Sequence, residues 1–234
     1  GGGPGDGIVA VSSKLIPFLP GIQVIKKADG SFDIEKAPKS IGTIHRHFGN
    51  FAHKIRAYAY IKALGGKGTR EMSGVAVLSA RYLFEKLKTS FPSLPENCDN
   101  EVRMHEFIIT LSKDTFARIE AGGTPKVNAI ARVGKLFLDF GLHAPTVAFP
   151  EVYGLMIEPT ESYSKAELDR FVEVVLAIQE LINETPHVLK TVPHFTPVKK
   201  VDEVDANKNL TFMQDLKDLP KLYSNIIDPI KLSK

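Results

Sequence analysis

Cysteine is almost missing from this chain: Cys98 is the only one in 234 residues. One thiol cannot close an internal disulfide, and its isolation fits a reducing cytoplasm. No apolar run approaches the length of a membrane span and no signal peptide is read, so no membrane partner is expected. Basic residues form no block. Thirty Lys and Arg stand against 27 Asp and Glu, and the net charge of +3 is spread along the sequence. Composition therefore makes no case for nucleic acid. There is no internal repeat, and low complexity is confined to the opening GGGPGDG.

What is present reads as a globular chain. Apolar residues make up 43% and charged residues 24%, and the length allows one large domain or two small ones with a real core. Residues 1–40 carry Gly and Pro punctuation and read as a glycine-rich loop and linking segment. Within it a turn at Ala28-Asp29-Gly30 is expected to join two short strands, IQVIKK and SFDIEK. Two helices follow. Asn50 can cap the first, with Phe51, Ile55 and Tyr58 on one face and Gly65-Gly66 at its end. Thr69 can cap the second, with Met72, Ala76, Ala80, Leu83 and Leu87 inward.

Further on, alternation in HEFIITLS predicts a strand over 105–112. A helix is expected over 128–140 with Ile130, Gly134 and Phe137 inward and Gly141 closing it. GLMIE, 154–158, reads as another strand. Ser164 and Glu167 have capping-box spacing, and Leu168, Phe171, Val175, Ile178 and Ile182 form the buried stripe of the helix they start. The expected architecture is α/β: a small, largely antiparallel sheet covered by helices on one side. It occupies residues 41–185, and 186–234 follow as an extended tail, docked or partly mobile.

Residue chemistry alone names no reaction. Consecutive glycines let backbone N–H groups converge on an anion, because no Cβ blocks approach. Yet GGGPG fits neither the dinucleotide fingerprint nor the Walker pattern, and a flexible end is the simpler reading. His45, His47 and His53 are close in sequence but have no carboxylate or cysteine nearby, so no metal is expected. His105 reads as structural, and His187 and His194 carry no signal alone. His143 lies in the proline-flanked loop GLHAPT, a type of loop that often carries sites. Glu158 and Glu161 bracket Pro159-Thr160 where a strand end leads into a helix, an ordinary place for acids.

The ordered set of segments resembles a family. GGGPGDG with PFLP, the block SIGTIHRHFGNFAHKIRAYAYIKALGGKGTREMSGVAVLSARYL, MHEFIITLS, GLHAPTVAFP, LMIEPTESYSKAELDRF and PHFTPVKKVDEVDANKNL run in the family's order. They are similar to the C-terminal part of the glycine decarboxylase P-protein of the glycine cleavage system, above all the second subunit of its split bacterial and archaeal form. The resemblance covers most of residues 1–212.

It implies the C-terminal domain of a fold-type-I enzyme that uses pyridoxal phosphate. It also implies glycine as substrate, loss of carbon dioxide, and passage of the aminomethyl group to the lipoyl arm of the H-protein. A first P-protein subunit or homologous half is the implied partner, and the cytoplasm the implied location. In the family the Schiff-base lysine immediately precedes the glycine run. That position lies upstream of Gly1, and Lys14 follows the run instead. The chain is therefore expected to be a C-terminal fragment with no catalytic residue of its own, binding no cofactor and inactive alone. By the same resemblance Gly1, Gly2, Gly3 and Gly5 are candidates for holding the cofactor phosphate, and His143, Thr146 and Glu158 for lining the cleft. Two alternatives stand beside this reading. One is a non-catalytic module that pairs with a partner subunit. The other is the C-terminal domain of another fold-type-I enzyme, such as an aminotransferase or hydroxymethyltransferase.

Overall fold

The run IQVIKKADGSFDIEK folds as the hairpin its alternation predicts. In the computed structural model, which describes residues 7–44, 49–96, 100, 103–149, 153–197, 199 and 201–210, strand β1 (Ile22–Lys26) pairs antiparallel with β2 (Phe32–Lys36). Gly30 takes the left-handed turn position at φ 85°, and Asp29 Oδ1 accepts from both the N–H and the hydroxyl of Ser31. Lys27 Nζ meets Asp33 Oδ2 at 2.5 Å and holds that carboxyl below the usual range. The register puts Ile22, Val24, Phe32 and Ile34 on one face, and all four are exposed.

Helix α1 (Phe51–Leu87) contains one non-helical residue, Gly65, at φ 65° and ψ −178°. The break stands where the paired glycines predict it. Thr69 does not cap: its hydroxyl donates to Gly65 O at 2.7 Å, four residues back. The chain divides into two compact units, Gly1–Glu71 and Met72–Lys234. Among the described residues of the first, no apolar side chain is buried; Phe51, Ile55 and Tyr58, the expected inner face, are 53–62% exposed. Spacing marked an apolar face correctly, but nothing described within the first unit covers it.

The second unit is built on a four-stranded antiparallel sheet. Strands β3 (Ser93–Leu94), β4 (Phe107–Thr110), β5 (Thr146–Val147) and β6 (Gly154–Ile157) lie in the order β3-β4-β6-β5. Phe107 pairs with Ile157 and Ile109 with Leu155, so four buried side chains share one face. Helices pack on that face. From α1 come Ala76, Ala80, Leu83 and Leu87, together with Phe84, whose ring meets Phe107 edge-on at 5.5 Å. Helix α2 (Lys113–Ala121) is an element that sequence spacing did not reveal. Its nine residues hold little periodicity, and Ser112 starts it by accepting from Thr115 N–H at 3.0 Å.

Helix α3 (Lys126–Asp139) buries Ile130, Gly134 and Phe137 as expected. It ends in a Schellman turn. Leu142 N–H donates to Phe137 O and Gly141 N–H to Leu138 O, with Gly141 at φ 71°. Helix α4 (Lys165–Glu184) has both arms of its capping box. Ser164 Oγ accepts from Glu167 N–H at 3.3 Å, and Glu167 Oε2 accepts from Ser164 N–H at 2.8 Å. Leu168, Val175, Ile178 and Ile182 are buried as expected, but Val172 completes the stripe in place of Phe171, which is half-buried. The segment read as a tail packs here: a 3-10 turn at Pro186–Lys190 carries Leu189, and both Leu189 and Val192 are 0% exposed. A short helix α5 (Glu203–Lys208), capped by Asp202, follows. No described helix is long and apolar enough to cross a membrane.

Two outcomes follow from this packing. A methyl group added at Gly154 would stand 2.5 Å from Ile108 Cγ2 and 3.1 Å from Ile109 O. Gly154→Ala should therefore cost about 1–3 kcal/mol in urea unfolding, the usual range for overpacking. The Ser164 N–H, and then its hydroxyl, hold the Glu167 carboxyl below the usual carboxylate range. That contribution to stability is complete at neutral pH and is lost in acid as the carboxyl protonates. In Ser164→Ala, carbon NMR should find Glu167 titrating at higher pH than in the parent chain.

Candidate functional site

The Schellman turn that ends α3 sends the chain into the loop Leu142–Pro145, which leads directly into β5. Pairing of β5 with β6, Thr146 opposite Met156, holds the far end of that loop. Strand β6 then runs out into Glu158-Pro159-Thr160. Thr160 takes φ 53°, a left-handed conformation that β-branched residues rarely adopt, and its hydroxyl accepts from Ser162 N–H at 3.3 Å. This bend delivers the chain to Ser164 and the first turns of α4. Loop, strand end and helix start thus surround one space.

That space is a cleft of about 460 Å³ within the second unit. Leu83, Ile157, Leu168 and Phe171 give it an apolar floor. His143, Thr146, Glu158, Tyr163, Glu167 and Arg170 give it a polar rim. His143 Nδ1 lies 3.0 Å from Ala144 O. A carbonyl can only accept, so the contact puts a proton on Nδ1 and leaves Nε2 as the lone-pair nitrogen of the neutral ring. Glu158 Oε1 is 3.8 Å from His105 Nε2, and both side chains are about half exposed. The Glu167 carboxylate is committed to Ser164, and Arg170 supplies a cation one turn along α4. An apolar floor under a rim of one imidazole, carboxylates, hydroxyls and a guanidinium can seat a small polar group and orient it.

The sequence candidates fall in three ways. His143 and Thr146, from one segment, and Glu158, from another, line this same cleft. Gly1, Gly2, Gly3 and Gly5 lie outside the described residues, as do His45, His47 and Cys98. His53 is in α1, within the first unit, and His187 is in the 3-10 turn after α4, outside the cleft lining. Among the described residues no three His, Cys, Asp or Glu side chains gather as a metal site. Tyr163, Arg170 and His105 were missed. Glu167 and Arg170 were legible in principle, since the capping box sets the phase of α4 and they stand three apart on one side. His105 was not. Its place beside Glu158 comes from the β4–β6 register, which continues Phe107↔Ile157 outward.

Comparison with known proteins bears on this architecture. A likeness in fold extends to a crystal structure of glycine decarboxylase (P-protein) of the glycine cleavage system in inhibitor-bound form. The TM-score is 0.50 at 18% identity, over 72% of this chain and 37% of that one. In sequence the chain is similar to proteins named "Probable glycine dehydrogenase (decarboxylating) subunit 2". Identity is 43% over 214 residues in Pyrococcus furiosus, 40% over 213 in Chlorobium chlorochromatii and 38% over 214 in Fervidobacterium nodosum. These alignments take in 89–90% of this chain but 40–42% of each relative, so the chain spans about two fifths of their length. The family described as "Glycine dehydrogenase, C-terminal domain" matches residues 72–194, more than half of the chain and nearly all of the second unit's core. The α/β fold read from the sequence is thus the fold of that domain, and the chain belongs to the glycine dehydrogenase C-terminal domain family.

Proposed function

We propose that this chain serves as the C-terminal part of a glycine decarboxylase of the glycine cleavage system. The complete enzyme would use pyridoxal phosphate, release carbon dioxide from glycine and pass the aminomethyl group to the lipoyl arm of the H-protein. A first subunit or homologous half would complete it, in a reducing cytoplasm. The observation that carries this reading is the convergence of two family-like segments on one cleft, His143 and Thr146 from the first and Glu158 from the second.

Among the described residues no lysine lines that cleft, so its side chains do not fit the covalent seat of the cofactor. The cofactor supplies the electron sink for decarboxylation when bound, and this chain contributes a wall. In that role the apolar floor excludes water, the hydroxyls and Arg170 orient a polar ligand, and His143 Nε2 offers a proton acceptor. The glycine run Gly1, Gly2, Gly3 and Gly5 would add backbone amides to the phosphate site.

A second reading, a module that only pairs with another subunit, is favoured by the bare apolar face of the hairpin. Ile22, Val24, Phe32 and Ile34 have the character of an interface without its partner.

Exchange of labelled bicarbonate with the glycine carboxyl tests the first reading. The complete assembly should catalyse it, and this chain alone should not. Glu158→Gln and His143→Ala in the assembly should each slow it by at least about tenfold, roughly 1.4 kcal/mol of transition-state stabilisation. Unchanged exchange in both would remove the cleft from the reaction. In the full-length protein, Gly2→Val with Gly3→Val should weaken cofactor retention. Sedimentation tests the second reading. This chain alone should self-associate, and Val24→Ser with Ile34→Ser should return it towards monomer.

A further inference from the structure

The carboxylate of Asp139 lies outside the cleft lining, and its setting is costly. It is the last residue of α3, where the helix dipole disfavours a negative charge, and its side chain is only 2% exposed. Three donors from two consecutive residues offset that cost. His194 N–H stands 2.6 Å and Phe195 N–H 2.9 Å from Oδ1, and His194 Nδ1 stands 2.9 Å from Oδ2. An ionised carboxylate only accepts, so Nδ1 carries a proton, while Nε2 meets the Thr191 hydroxyl at 2.8 Å.

Adhesion alone does not require this arrangement, because the fully buried Leu189 and Val192 already hold the segment down. The carboxylate adds direction. Two backbone N–H groups and a ring nitrogen on one acid leave the chain at 194–195 a single orientation against the end of α3. In some proteins buried polar groups give such specificity at a cost in stability. The end of α3 is also the root of the cleft loop, since Gly141 and Leu142 close their Schellman turn on Leu138 and Phe137. The far end of that loop is secured by β5 and β6. Latch, helix end and loop root therefore share a few consecutive residues.

We propose that Asp139 and His194 are positioning residues that set the root of loop 142–146, making the segment after α4 part of the scaffold of the cleft. The loop geometry stands independently of the enzymatic reading; the consequence for catalysis rests on it.

The test is native-state hydrogen exchange on the full-length chain in its assembly, read alongside turnover. Asp139→Asn and His194→Leu should speed exchange of the 142–147 amides by about tenfold or more relative to those of α2 and β4. Ile109→Val, a core change in β4, should produce no such local difference. His194→Asn, whose amide can stand in for Nδ1–H, should stay close to the parent. In the latch variants kcat should fall more than KM rises. Loop exchange unchanged in Asp139→Asn and His194→Leu, or His194→Asn as loose as His194→Leu, would overturn the proposal. A loosened loop with unaltered turnover would uphold the latch and overturn the catalytic reading of the cleft instead.

Discussion

Everything in the second unit hangs on the pairing of β4 with β6. The register that joins Phe107 to Ile157 and Ile109 to Leu155 turns four apolar side chains towards the helices, and those four are the floor on which α1, α3 and α4 rest. A slip of one residue would send them to the opposite face and leave the α4 stripe without a surface to cover. The same register carries the two strand ends past each other, bringing His105 beside Glu158. Core and cleft are thus consequences of one ladder. The site sits where the ladder stops and the chain has to bend.

Legibility followed the range of the interaction. Signals that act within a few residues were readable: the hairpin around Gly30, the break at Gly65, the Schellman glycine Gly141 and the reciprocal cap of Ser164 and Glu167. Each depends on a backbone conformation or an orphan N–H that one nearby residue type satisfies. Periodicity revealed the long stripe of α4 but not α2, whose nine residues are stable only because Phe116 and Ile119 are buried against the rest. The two-residue strands β3 and β5 carry no pattern at all and exist through their partners. The site divides in the same way. His143, Thr146 and Glu158 were proposed through resemblance, whereas His105 and the Asp139–His194 contact join residues more than 50 apart and have no local signature.

The two units solve the problem of apolar surface differently. The second encloses Phe84, Leu87, Ile119, Ile182 and Leu189 almost completely. The first keeps Ile22, Val24, Phe32 and Ile34 bare on the hairpin, although their alternation is that of a half-buried sheet. Alternation reports that a strand has an apolar side, not what will cover it. That is why the pattern in residues 22–36 predicted the strands correctly while giving no information about burial.

This division bears on how the chain is made. Synthesis runs from the N-terminus, so the hairpin with its bare face leaves the ribosome well before α4 and the residues up to Val192 complete the hydrophobic core. An isolated two-stranded hairpin is marginal in water. Of the two units, the hairpin's is thus the one less able to protect itself, and its bare face waits through the translation of more than a hundred further residues before that core is complete. A nascent chain of this design has reason to occupy chaperones during that interval, and slow or stalled translation would extend the time its apolar face stays open to misassociation.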